Sequence, residues 1–99
     1  GNVIDYCDIS DVPATGTPTI GVYSASASTN TISNCNIFNY YSAGEATRQC
    51  GIYLGAGTTG WTISGNSFYN TKNTVRTFTA GGAYSAIYVD NASRVHNVL

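Results

Sequence analysis

Hydrophobic positions in this chain recur in short alternating runs, and the runs themselves repeat. Three segments align without gaps: Val3-Ile4-Asp5-Tyr6-Cys7-Asp8-Ile9-Ser10-Asp11, Thr31-Ile32-Ser33-Asn34-Cys35-Asn36-Ile37-Phe38-Asn39 and Thr62-Ile63-Ser64-Gly65-Asn66-Ser67-Phe68-Tyr69-Asn70. Their columns read Ile/Ile/Ile, then Cys/Cys/Asn, then Ile/Ile/Phe, then Asp/Asn/Asn. A second block repeats between them: Gly21-Val22-Tyr23-Ser24, Gly51-Ile52-Tyr53-Leu54 and Ala86-Ile87-Tyr88-Val89. Val98-Leu99 reads as the start of a fourth copy of the first block. Alternation with a period of two predicts strands whose apolar side chains share one face. Glycine and β-branched residues interrupt every window, so helix does not compete.

The spacing between copies grows along the chain. Ile4 to Ile32 is 28 residues, Ile32 to Ile63 is 31, and Ile63 to Leu99 is 36. Most of that growth lies between the first block and the second, in segments 12–20, 40–50 and 71–85, which are rich in Gly, Thr and Ser and read as loops of increasing length. The return segments, 25–29, 55–61 and 91–97, are nearly constant. Short fixed strands, one variable loop and a period near 30 predict a solenoid, each coil stacking like on like at about 4.8 Å. Ile4, Ile32 and Ile63 are expected to form one inner column, and Val22, Ile52 and Ile87 another. Asn and Gly tolerate left-handed backbone at a bend, and the corner residues Tyr6, Asn34 and Gly65 obey that rule in part, at Asn34 and Gly65. Asn66 is expected to point inward and hydrogen-bond turn backbone. A β-sandwich would account for the Thr and Tyr content, but not for the same residue types in register three times.

The strings Ile32-Ser33-Asn34-Cys35-Asn36-Ile37 and Ile63-Ser64-Gly65-Asn66-Ser67-Phe68 resemble the parallel β-helix repeat of the pectate-lyase-like superfamily. Gly51-Ile52-Tyr53-Leu54, followed by Gly60-Trp61-Thr62-Ile63-Ser64-Gly65-Asn66, is similar to large secreted right-handed β-helix proteins of Bacteroidota-type bacteria. The resemblance runs over nearly the whole chain and implies an all-β, right-handed parallel β-helix. About three coils are expected, at roughly 3–30, 31–61 and 62–97 with a fourth starting at 98–99, as one segment 1–99 without caps. The resemblance carries fold but little function, because the superfamily spans lyases, hydrolases, epimerases, tailspikes and adhesins. Its members usually run to many more coils, so this segment is expected either to belong to a longer protein or to stack on copies of itself through its end faces.

Composition narrows the function classes. Charged residues make up 9% of the chain and the net charge is −1, against about 25% charged in an ordinary domain. Nothing basic is clustered, so no nucleic-acid or anionic-membrane partner is expected. No apolar run is long enough for membrane insertion, and no signal-peptide pattern precedes the first strand-like run. Cys7, Cys35 and Cys50 lack CxxC spacing and read as buried free thiols acting as small hydrophobes, with Cys7 and Cys35 stacked but not bridged.

Candidate chemistry is sparse. Glycoside hydrolysis needs two carboxylates flanking the bond, yet the columns of Asp5 and Asp8 continue as Ser33/Ser64 and Asn36/Ser67, and Asp11 heads an Asp/Asn/Asn turn column. Glu45 has no acidic neighbour in the repeat. Asp90-Asn91 offers too few oxygens for calcium. His96 reads as a surface residue, and Arg48, Lys72, Arg76 and Arg94 as scattered over loops and turns. No catalytic residue, metal site or cofactor is expected.

The suggestive feature is the column Tyr23/Tyr53/Tyr88, which alternation places opposite Val22/Ile52/Ile87. Exposed aromatic rings offer an apolar platform with a polar handle for saccharides; the plainer role is to stabilise the stack. The expected function is a structural or adhesive segment of an extracellular or cell-surface protein, with polysaccharide as a candidate partner. The alternative is the non-catalytic part of a carbohydrate-active lyase or hydrolase.

Overall fold

The structure, a computed structural model, describes residues 1–10, 19–40, 48–71, 83–90 and 96–99. The strands are β1 (Val3–Asp5), β2 (Asp8–Ile9), β3 (Ile20–Ser24), β4 (Thr31–Ser33), β5 (Asn36–Phe38), β6 (Arg48–Leu54), β7 (Thr62–Ser64), β8 (Ser67–Tyr69), β9 (Ala83–Val89) and β10 (Asn97–Val98). They form three sheets. Sheet A has the order β1-β4-β7-β10, sheet B β2-β5-β8, and sheet C β3-β6-β9. The protein is therefore all-β, and every strand pairing among the described residues is parallel. Parallel pairing is what a repeat with one period requires, because each copy meets the next running the same way. It also disposes of the sandwich, whose strands pair antiparallel.

The register follows the repeat. Ile4 pairs with Ile32 and Ile32 with Ile63. Ile9 pairs with Ile37 and Ile37 with Phe68. Val22 pairs with Ile52 and Ile52 with Ile87. These columns meet in one core built around Ile32, Ile37, Ile52, Leu54, Trp61 and Ile63, with Ile4, Ile9, Val22 and Ile87 partly buried against it. Each fully buried aliphatic side chain contributes roughly 1.5–3 kcal/mol. Gly51 marks where sheet packing is tightest: a Cβ there would lie 2.6 Å from the Phe68 ring, so no larger residue fits without displacing it.

The corner between sheets A and B turns in one residue. Tyr6, Asn34 and Gly65 all adopt left-handed backbone, with φ of 53°, 52° and 64°. For a residue with a side chain this costs roughly 1–2 kcal/mol, offset by keeping the ladder unbroken. Asn34 N–H donates to Ser64 O at 3.0 Å and Tyr6 N–H to Ser33 O at 3.2 Å. Asn66 points inward as its position requires. Its Oδ1 accepts the Cys35 N–H at 2.8 Å, and its Nδ2 donates to Ile32 O at 2.9 Å. One rung earlier in the same column, the Cys35 thiol approaches Ile4 O at 3.7 Å, a weaker version of the same cross-rung contact.

Three expectations are corrected here. Cys35 and Cys50 are buried and free, but Cys7, also free, is exposed. Cys35 has a rung on both sides, whereas Cys7 stands on an edge rung covered from one side only. Arg48 is not in a loop or turn but begins strand β6, and the segments expected to be loops give up their last residues, Ile20, 48–50 and 83–85, to β3, β6 and β9, because sheet C pairs further back than the repeat shows.

Candidate functional site

The tyrosine column is formed by the backbone register of sheet C. Tyr23 pairs with Tyr53, and Tyr53 with Tyr88. Side chains in register project from the same face, so the three rings lie one above another. Ring centroids are 5.2 Å apart between Tyr23 and Tyr53 and 5.1 Å between Tyr53 and Tyr88, tilted by 42° and 47°. That spacing is slightly wider than the about 4.8 Å between strands, because tilted rings offset rather than stack flat, the arrangement their quadrupoles favour. Tyr23 is 62% exposed, while Tyr53 and Tyr88 are partly covered.

Two residues join the column that sequence reasoning had not connected to it. Asp90 lies just beyond β9, its N–H donating to Leu54 O at 2.7 Å. Its carboxylate accepts from both lower tyrosines: Tyr53 O–H donates to Oδ2 at 2.9 Å and Tyr88 O–H to Oδ1 at 3.4 Å. The hydrogen bond to Asp90, then desolvation and the carboxylate's charge, pushes the Tyr53 phenol above its ordinary value, since ionising it would place two anions side by side. Arg48 lays its guanidinium carbon 3.5 Å from the centre of the Tyr88 ring, a cation–π contact. The sequence signal for Asp90 was its place two residues after Tyr88. The signal for Arg48 was absent, because its partner is forty residues away.

Asp5 and Asp8 lie apart from this column. Asp5 Oδ1 accepts from Ser33 Oγ at 2.8 Å and Asn34 Nδ2 at 3.0 Å, and Asp8 Oδ1 accepts from Asn36 Nδ2 at 2.7 Å. Both carboxylates bind the next rung along. Asn39 acts likewise in the turn after β5, its Oδ1 accepting the Thr71 N–H at 2.9 Å. His96, expected at the surface, is half-buried below Trp61, its Nδ1 accepting the Trp61 N–H at 3.3 Å. Cys50 is fully buried on β6; burial pushes its thiol up to about 11, with nearby Arg48 pulling weakly the other way. Asp11, Glu45, Lys72, Arg76, Asn91 and Arg94 lie outside the described residues.

A cavity of about 260 Å³ opens beside Tyr23, floored by Ile4, Val22, Ala27 and Trp61. Among its lining residues Tyr23 is the one titratable group, so the cavity offers no acid–base pair. Among the described residues no group of His, Cys, Asp and Glu is arranged to hold a metal ion, and no helix is long and apolar enough to cross a membrane. The chain matches no protein-family model, no curated protein and no solved structure.

Proposed function

We propose that this chain is a segment of right-handed parallel β-helix that serves as a structural or adhesive scaffold, and that its tyrosine column is a contact surface for saccharide. Support for the β-helix comes from the strand order. Each sheet takes every third strand, always parallel and in register, and a parallel crossover is right-handed in about 98% of cases. Further coils, of the same polypeptide or of another copy, pair with the open edges of β1, β2 and β3 and of β8, β9 and β10. The setting is extracellular or at the cell surface, as the resemblance to secreted β-helix proteins implies.

The observation that carries the saccharide reading is the column itself: three tyrosines in register, with one ring largely open to solvent. The contacts of Tyr53 and Tyr88 with Asp90 and Arg48 serve the fold, but Tyr23, the most exposed of the three rings, adds only its contact with Tyr53. Aromatic faces match the apolar faces of sugar rings, while the phenol oxygens supply hydrogen bonds. The test is a glycan titration of the wild type against Tyr23→Ala/Tyr53→Ala/Tyr88→Ala. Binding by the wild type that the variant loses supports the platform; equal behaviour of the two proteins, with the variant folded, refutes it.

A further inference from the structure

We infer that Asp90 sets the ligand class of the tyrosine column, making it a site for neutral, polyhydroxylated glycan and not for polyuronate; this rests on the saccharide platform proposed above. Each carboxylate oxygen of Asp90 accepts one tyrosine hydroxyl, Oδ2 from Tyr53 and Oδ1 from Tyr88. An ionised carboxylate has about four lone-pair sites, so one on each oxygen remains. Asp90 is exposed, so a ligand can reach its carboxylate. Two adjacent acceptors of this kind suit the two O–H donors of a vicinal diol, and hydrogen bonds to a charged acceptor are stronger than neutral ones.

The same geometry orders the platform before any ligand arrives. Tyr53 and Tyr88 lose hydroxyl and ring freedom to Asp90, and Arg48 holds the Tyr88 ring from its face. A preorganised surface loses less entropy on binding. With their protons directed to Asp90, the two phenol oxygens keep lone pairs free to accept from sugar hydroxyls. Arg48 covers Tyr88, which makes Tyr23 and Tyr53 the rings available for stacking and Tyr88 an anchor. A glycan lying along the column thus meets two rings and then a carboxylate. For a neutral sugar that end is attractive. For a uronate it places like charges in contact, which disfavours binding.

The experiment titrates the full chain with cellohexaose, xylohexaose and hexagalacturonate, comparing wild type, Asp90→Asn, Asp90→Ala, Arg48→Gln and Tyr23→Ala/Tyr53→Ala. The wild type is expected to bind a neutral hexaose and to bind hexagalacturonate more weakly. Asp90→Ala is expected to weaken neutral binding about tenfold or more. Asp90→Asn, which keeps shape but loses charge, is expected to raise hexagalacturonate binding. Spectrophotometric titration of Tyr53 checks that the local contact has changed: its phenol should fall toward the ordinary value in both Asp90 variants while far-UV circular dichroism stays unchanged. Tyrosine-dependent binding with the same neutral-to-acidic preference in wild type and Asp90→Asn overturns the assignment of Asp90 and leaves the platform standing. Preferred binding of hexagalacturonate by the wild type, lost in Arg48→Gln, overturns it in favour of Arg48 as an anion contact. No binding of any hexaose, or binding indifferent to the two tyrosines, overturns the platform and this inference together.

Discussion

The corner between sheets A and B and the outer face of sheet C are both repeated columns, but they repeat different things. At the corner the geometry is constant and the chemistry varies. Tyr6, Asn34 and Gly65 share one left-handed backbone conformation across three unlike side chains, and Cys35 and Asn66 both reach the isoleucine carbonyl of the previous rung. On sheet C the chemistry is constant where the backbone leaves it free: tyrosine stands three times on an outward face. A column that serves the fold accepts any residue that can meet the backbone requirement. A column of identical residues on an outward face, open at Tyr23 and partly covered at Tyr53 and Tyr88, is the feature on which the proposed contact surface rests.

The largest expected effect tests the corner. Asn66→Ala removes the acceptor of the Cys35 N–H and a donor to Ile32 O, and the part-buried N–H left unpaired costs roughly 1–3 kcal/mol. Urea unfolding should show a midpoint shift larger than for any single tyrosine-to-alanine change in the column. An equal or smaller shift would erase the contrast between the two regions.

The next effect is in pH. Cys50 sits on β6 behind the tyrosine face, with its thiol raised from 9.0 to about 11. The unfolded chain ionises this thiol first. The stability it contributes is therefore full below about pH 9 and lost as pH rises toward 11, a change on the order of 2 kcal/mol. Tyr53, raised by Asp90, acts in the same direction. Under reducing conditions, stability should fall between about pH 9 and about 11 in the wild type, and the fall should be shallower in Cys50→Val; matching slopes would show that Cys50 has no part in it.

A pair of substitutions with opposite signs sharpens the corner. Gly65→Ala puts a Cβ 2.7 Å from Asn34 Oδ1 at a φ of 64° and should cost about 1–2 kcal/mol. Tyr6→Gly relieves the same conformation at a side chain that is 80% exposed and should raise the melting temperature. If both changes destabilise, Tyr6 makes a contribution that its backbone conformation conceals. The smallest effect is on sheet C, where Tyr23→Ala should cost only about 0.2–1 kcal/mol of stability while removing the most exposed ring of the platform.

Much of this was legible in the chain. The two blocks predict which residues pair, and the parallel register of Ile4/Ile32/Ile63, Val22/Ile52/Ile87 and Tyr23/Tyr53/Tyr88 follows them residue by residue. The left-handed corner and the inward Asn66 were legible for the same reason: a repeat superposes equivalent positions, so a requirement visible in Gly65 can be read back onto Asn34 and Tyr6. Cys7 broke that logic, because an edge rung shares the column but not the cover.

By itself, then, the sequence determined the repeated blocks, their alternation and their register, since these depend on local pattern and on a period that alignment can count; how far β3, β6 and β9 extend back into the preceding loop segments was decided by pairing in sheet C. Tertiary structure alone decided what stands beside the columns. Arg48 reaches the Tyr88 ring across forty residues of sequence, and Asp90 joins Tyr53 on β6 to Tyr88 on β9. Such contacts depend on where a long side chain swings and where a strand ends. His96 came to lie under Trp61 for the same reason. A repeat specifies which residues share a column; the direction each side chain takes out of it is settled only when neighbouring columns pack.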